Sequence, residues 1–121
     1  MTREYVDQLS ALKASATSGR FTDVHLECKH FFSGAAVYAD GRICLSLTPV
    51  GFALKLPGQS RNTLMKEPGA KPLRYFPRGP LKKDYVVLPT AMVKDRMVLR
   101  RWVKVSIEYV LSLPAPGRKG Q

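Results

Sequence analysis

The sequence predicts a two-layer α+β domain, in which an antiparallel sheet of five to six strands carries its helices on one face. Three observations lead to this fold class. The 121 residues suffice for a single modest core. The strand-like segments occur in groups and do not alternate with helices, which is typical of antiparallel sheets. Turn residues such as Asp40-Gly41 separate these segments as they do in hairpins. The expected order is one helix, three or four strands, a short helix, two strands and a long helix.

The first helix and the first group of strands follow from the spacing of apolar residues. Tyr5, Leu9, Leu12 and Ala16 recur on one face at helical spacing. Strands are expected over 24–30, 35–39, 42–48 and 52–56, where apolar and polar residues alternate or short apolar runs end in turns. Within 42–48 the alternation predicts that Ile43, Leu45 and Leu47 face the core.

The second half of the chain is predicted to hold a short helix, two strands and the longest helix. The short helix covers 58–66, the strands cover 73–76 and 85–88, and the long helix begins at Thr90 or Lys94 and ends at Leu113. The long helix is apolar on nearly all sides in its second half, so either the domain itself or a second subunit covers it. Val103, Ile107 and Leu111 are therefore the candidate interface of a homodimer.

Domain organisation and location follow from composition. Residues 1–113 are expected to form one domain, and the Pro-, Gly- and Lys/Arg-containing segment 114–121 a disordered tail. The N-terminal residues mix charges into their apolar positions, unlike a signal peptide, and the sequence has no apolar run of about 20 residues, the length of a membrane span. We expect a cytoplasmic protein without a membrane partner.

The net charge of +11 favours an anionic partner. Two groups of cations are candidates for contacts with phosphates or nucleic acid. The first is interleaved with Tyr75 and Phe76 and is called the basic segment below; it comprises Lys71, Arg74, Arg78, Lys82 and Lys83. The second recurs at helical spacing on the long helix and comprises Arg96, Arg100 and Lys104. A solvated loop and an ordinary amphipathic helix have the same patterns, so nucleic acid is the weaker alternative at both.

Residues suited to catalysis are few. Cys28 and His30 are two positions apart on one predicted strand, which suits a thiolate–imidazole pair or a metal ligand pair, although a buried thiol is the simpler interpretation. The nine acidic residues are spread singly along the chain, and no phosphate-binding glycine loop is present. We expect no enzyme, and therefore no catalytic, cofactor-binding or metal-binding residues and no cofactor.

Three segments resemble the TfoX N-terminal domain family. Residues 32–42 read FSG-AA-VYADGR and are similar to the family signature MFGG-x-x-x-Y-x-D-G-K. The segment 54–57 resembles the strand that follows in the family, and 85–89, YVVLP, resembles its Y-x-x-L-P segment. The resemblance covers about Phe21 to Leu113. Ser33 departs from the first glycine of the signature pair, and Cys44 stands where the family usually has Phe.

The resemblance implies a two-layer α+β domain and a regulatory role, because the family's namesakes regulate bacterial competence. It implies no enzyme class. The function expected from the sequence is thus a small non-enzymatic regulatory or interaction domain, a homodimer that contacts a regulatory protein partner. The alternative is a nucleic-acid-binding protein that uses the basic segment and the basic helix face.

Overall fold

The structure is a computed structural model that describes residues 4–76 and 78–114. The predicted tail lies outside the described residues apart from Pro114. Ten elements follow one another along the chain: α1 (Glu4–Thr17), β1 (Leu26–Phe31), β2 (Gly34–Ala39), β3 (Arg42–Thr48), β4 (Gly51–Lys55), α2 (Gly58–Met65), β5 (Lys71–Leu73), β6 (Lys82–Val87), α3 (Thr90–Val93) and α4 (Arg96–Leu111).

The six strands form one sheet in the order β1-β2-β3-β4-β6-β5, with every neighbouring pair antiparallel. Helices α1 and α4 contact each other and the central strands. The α+β class predicted from the sequence is therefore confirmed, with the first helix preceding the strands as expected.

The core lies between one face of the sheet and the helices. Leu9 of α1, Leu45 and Leu54 of the sheet, and Ile107 and Val110 of α4 are all fully buried in it. We call this side of the sheet the core face and the opposite side the open face. Because directly paired residues of antiparallel strands share a face, the strand register assigns each remaining side chain to one of the two.

A β-bulge changes the orientation predicted for one of the core residues. Val37 pairs with Leu45, but Tyr38 pairs with Ile43, so Cys44 is the extra residue on β3. Cys44 is buried in the core beside Leu45. Ile43 instead lies beside Tyr38, so the prediction that it faces the core is wrong. Strict alternation along a strand fails at a bulge because two residues oppose one on the partner strand.

Two tight hairpins set the register of β1, β2 and β3. Asp40 and Gly41 join β2 to β3, and both have positive φ, 49° and 83°, as an Asp-Gly hairpin turn requires. At the preceding turn Phe32 also has a positive φ, 51°, a conformation that an aromatic residue rarely adopts. Gly34 begins β2 so close to β3 that a Cβ there would lie 2.1 Å from the Leu47 carbonyl oxygen.

The long C-terminal helix predicted from the sequence is two helices. Asp95 separates α3 from α4, and its carboxylate accepts hydrogen bonds from the backbone N–H groups of Met97 and Val98 at 3.1 and 3.2 Å. An aspartate in this position satisfies donors that the first turn leaves free.

Candidate functional site

The basic segment lies at one edge of the sheet, on β5, β6 and the connection between them. Lys71 is in β5 and Lys82 and Lys83 begin β6, with Arg74 and Arg78 in the connection between these strands. All five side chains are exposed. The Arg74 guanidinium donates to the Gly79 carbonyl and so stabilises the connection itself. The basic segment is thus a group of exposed cations on β5, β6 and their connection.

The same connection brings aromatic residues from distant positions together on the open face. We call Phe31, Phe32, Tyr75 and Phe76 the aromatic cluster. The ring centroid of Phe32 lies 4.4 Å from that of Phe31, 5.2 Å from that of Tyr75 and 5.4 Å from that of Phe76. These separations are those of favourable tilted and edge-to-face pairs. Phe32 and Phe76 are nevertheless 56% and 52% exposed, so the cluster presents ring surface to solvent.

A pocket of about 300 Å³ lies between this cluster and the strands. Its lining is mainly aromatic and comprises Phe31, Phe32, Tyr38, Ile43, Tyr75 and Tyr85, completed by the exposed Lys82. We call it the aromatic pocket. The Tyr75 hydroxyl forms a 3.0 Å hydrogen bond with the hydroxyl of Ser46, which holds the loop against β3.

The tyrosines of the aromatic pocket are protonated at neutral pH. Burial, followed by the charge of Glu27, raises the pKa of Tyr38. Burial raises the pKa of Tyr75, although its hydrogen bond to Ser46 lowers it in part. Burial also raises the pKa of Tyr85. Each of these hydroxyls can therefore donate a hydrogen bond as well as accept one.

Lysines lie over two of these rings. The Lys29 ammonium is 4.7 Å from the ring centroid of Tyr38, and the Lys55 ammonium is 5.9 Å from that of Tyr85. Glu27 pairs with Tyr38 across the strands, and its Oε1 lies 3.9 Å from the Lys29 ammonium. Lys82 lines the aromatic pocket itself, whereas Lys29 and Lys55 lie over rings of its wall.

The basic face of α4 is largely committed to contacts within the protein. Arg100 donates to the carbonyls of Ser15 and Ser18 at 3.1 and 3.3 Å, at the end of α1. The Lys104 ammonium lies 3.1 Å from the Glu108 carboxylate one turn away. Arg96, at the start of α4, is exposed. The stripe is therefore less suited to phosphates than its spacing indicates.

Two of the three residues predicted for the dimer interface on α4 are buried within their own chain. Val103 is 1% and Ile107 0% exposed, because both pack into the core of the same chain. Leu111 is half-buried against the same core. The apolar second half of α4 is explained by α1 and the sheet, which cover it from two directions, and a second subunit is not needed to bury it.

The two cysteines occupy different environments. The Cys28 thiol lies 3.7 Å from the Val6 carbonyl, on the core face beneath α1, while His30 is exposed. Cys44 is buried, and burial raises the pKa of its thiol to about 12. Among residues 4–76 and 78–114, no group of three or more His, Cys, Asp or Glu side chains is placed to hold a metal ion.

Sequence reasoning missed most of the aromatic pocket. The predicted strand 73–76 would place Tyr75 and Phe76 on opposite faces of the sheet. Instead β5 ends at Leu73, and both rings pack against Phe32. Tyr38 and Tyr85 were noted only as parts of family segments. One sequence feature could have indicated the pocket: Tyr38 and Tyr85 are strand residues next to core residues and so lie on the opposite face of the sheet. Such a pattern is typical of a sheet whose second face is also occupied.

Two further observations concern the described residues outside the aromatic pocket. Within the described part, no helix is long and apolar enough to cross a membrane. A second pocket of about 390 Å³ lies near the β3–β4 turn, between Val50, Val87 and Val93. Lys71 is the one cation in its lining.

The chain was compared with family models, curated proteins and solved structures. No curated protein and no solved structure matches the chain significantly. The family model of the TfoX N-terminal domain matches residues 22–110. This range includes the whole sheet, α2, α3 and nearly all of α4. The chain therefore belongs to the TfoX N-terminal domain family.

Proposed function

We propose that this chain is a non-enzymatic regulatory domain of the TfoX kind, which acts by binding a partner through the open face of its sheet. The observation that carries the proposal is the aromatic cluster. Phe32 and Phe76 are each more than half exposed and lie against each other. Contiguous exposed apolar surface with a polar rim is typical of an interaction site.

The positions of the cysteines support a non-enzymatic role. The Cys28 thiol contacts a backbone carbonyl of α1, and the Cys44 thiol stays neutral because burial raises its pKa to about 12. A nucleophilic thiolate needs the opposite environment, in which the pKa is lowered and the sulfur is accessible.

Complementation of a deletion strain of the source organism tests the proposal. Phe76→Ser removes an exposed ring without opening the core, so it should abolish the effect of the wild-type gene on the transcript profile. Cys28→Ser should restore that profile. The proposal is refuted if Phe76→Ser complements fully, or if Cys28→Ser fails to complement although the variant protein accumulates to normal levels.

We also propose a homodimer, but α4 no longer supports it, because Val103 and Ile107 are buried in their own chain. A second copy therefore has to use a surface other than these two side chains. Light scattering at a protein concentration of tens of micromolar measures the oligomeric state. A strict monomer at that concentration removes the homodimer and leaves the interaction domain itself intact.

Nucleic-acid binding is the second candidate function, and the five exposed cations of the basic segment favour it. Such cations attract phosphates without reading sequence, so binding to generic DNA or RNA should be micromolar and should weaken steeply with salt. Replacing Lys82 and Lys83 together by Glu should abolish this binding. Equal binding by this double variant removes the basic segment as the site.

A further inference from the structure

The aromatic pocket is more than a second hydrophobic core. A smaller apolar group, Ala53, Leu73 and Val87, already covers part of the open face and is fully or nearly fully buried. The aromatic cluster lies beside it and remains open. Phe32, the central residue of the cluster, is more than half exposed and has a positive φ of 51°. Backbone conformations of this cost cluster at functional sites.

The lining of the pocket suits a flat ring with polar edges. Phe32 and Tyr75 supply ring surface, and the hydroxyls of Tyr38 and Tyr85 can donate or accept hydrogen bonds. The volume of about 300 Å³ is at the lower end of small-ligand pockets. It suits one planar base and its sugar better than a folded peptide segment.

The charge around the pocket suits a phosphate backbone. Lys82 lines the pocket, and the ammonium groups of Lys29 and Lys55 lie over the rings of Tyr38 and Tyr85 in its wall. Glu27 is the carboxylate beside Lys29. Cations at the edge of stacked aromatic rings are the arrangement by which proteins hold single-stranded nucleic acid without strong sequence preference. A duplex hides the faces of its bases and would leave the pocket empty.

We propose that the open face binds single-stranded nucleic acid, with one base stacked in the aromatic pocket and the neighbouring phosphates held by Lys29, Lys55 and Lys82. This inference rests on the proposed function, since it names the partner of the open face. It differs from the second candidate function because the basic segment alone would bind duplex and single strand alike.

Fluorescence anisotropy with a labelled mixed-sequence DNA strand of about 12 nucleotides, at about 50 mM salt, tests the proposal. We expect micromolar affinity, weaker binding to the matching duplex, and a log–log slope of affinity against salt of roughly −2, from three neutralised phosphates. The absence of binding at about 100 µM protein, or a preference for the duplex, overturns the proposal.

Two variants of the open face locate the site. Phe32→Asn removes the ring but keeps a residue that tolerates positive φ, and it should weaken binding about tenfold, within the range for one stacked base. Replacing Lys29 and Lys82 together by Gln should reduce the salt slope by roughly 1.4. Unchanged binding in either variant, with folding verified by a thermal melt, overturns the proposal.

Matched controls come from α4. Met97 is 77% exposed, so Met97→Ser removes an exposed apolar side chain, and Arg96→Gln removes an exposed cation. Both should bind as the wild type does. If either control weakens binding as much as its counterpart on the open face, the effect is non-specific and the proposed site is wrong.

Two further probes distinguish single-stranded nucleic acid from other ligands of the open face. A free mononucleotide should bind at least tenfold more weakly than the strand, and equal affinity would overturn the single-strand assignment. Vesicles with an anionic surface should not compete with the strand, and competition that depends on Phe32 would reassign the face to membranes. Failure of strand binding combined with failure of Phe76→Ser to complement would refute only the nucleic-acid inference, leaving a protein partner.

Discussion

Replacement of Gly34 by Ala should destabilise the domain strongly, because β2 and β3 approach each other at this residue. A Cβ there would lie 2.1 Å from the Leu47 carbonyl oxygen and 2.8 Å from the Thr48 Cα. Carbon and oxygen atoms of adjacent strands are normally about 3.3–3.6 Å apart. Both close atoms belong to the backbone, so no side chain can rotate away. The strands have to separate by more than about 1 Å.

The magnitude follows from the contacts that this separation disturbs. Overpacking costs about 1–3 kcal/mol, and weakening two neighbouring interstrand hydrogen bonds costs about 1 kcal/mol each. The free energy of unfolding should therefore fall by roughly 3–5 kcal/mol. For a domain of this size that lowers Tm by roughly 12–20 °C.

Thermal melts followed by circular dichroism measure the effect. Ser33→Ala is the matched control, since Ser33 is exposed and adjacent, and it should change stability by less than about 0.5 kcal/mol. A Gly34→Ala protein that melts within about 2 °C of the wild type would refute the reasoning. It would show that the β2–β3 approach accommodates a methyl group.

Three further predictions concern the cap of α4, the end of α1 and a buried thiol. Asp95→Ala should cost about 1 kcal/mol in urea unfolding, because two backbone N–H groups lose their acceptor. Arg100→Ala should lower stability by about 1–2 kcal/mol by freeing the carbonyls at the end of α1, without changing nucleic-acid affinity. Burial raises the pKa of Cys44 from 9.0 to about 12, so the folded state holds this proton more tightly than the unfolded chain. The associated stability is complete below about pH 9 and is lost as the pH rises toward 12. The urea midpoint should therefore fall less between pH 8 and 10 in Cys44→Ala than in the wild type.

Each of these predictions has an outcome that contradicts it. An Asp95→Ala protein as stable as the wild type would show that water caps α4 equally well. If Arg100→Ala had normal stability but bound nucleic acid more weakly, Arg100 would be a nucleic-acid contact. Arg96→Ala, which changes an exposed neighbour, is the control. An identical pH dependence in Cys44→Ala would assign the alkaline loss of stability to other groups.

Much of the fold could be predicted because its signals are local. The stripe of Leu9 and Ala16 predicts α1, and the Asp40-Gly41 turn predicts the β2–β3 hairpin and its position. A bulge leaves no such local signal, because it depends on how two strands pair. For this reason the alternation assigned Ile43 to the wrong face.

The candidate site depended more on tertiary structure. The exposed cations at 71–83 could be predicted from the sequence, since charged side chains remain in solvent in almost any fold. The role of Arg100 could not be predicted from the sequence, because its hydrogen-bond partners lie more than 80 residues earlier in the chain. The sequence predicts that Ile107 is buried, because it is apolar and lies in an apolar part of α4. Only the tertiary structure shows that the core of its own chain buries it.

The sequence by itself determined the family, the strand and helix content and the strongly basic character of this protein. These properties reside in short segments and in composition, so no contact between distant residues is needed to read them. Only the tertiary structure decided that Phe32, Tyr38, Tyr75 and Tyr85 share one pocket. These four residues come from the β1–β2 turn, β2, the β5–β6 connection and β6. The pairing of β4 with β6 brings that connection to the open face. Long-range strand pairing therefore creates the candidate binding surface from residues that are ordinary when taken separately.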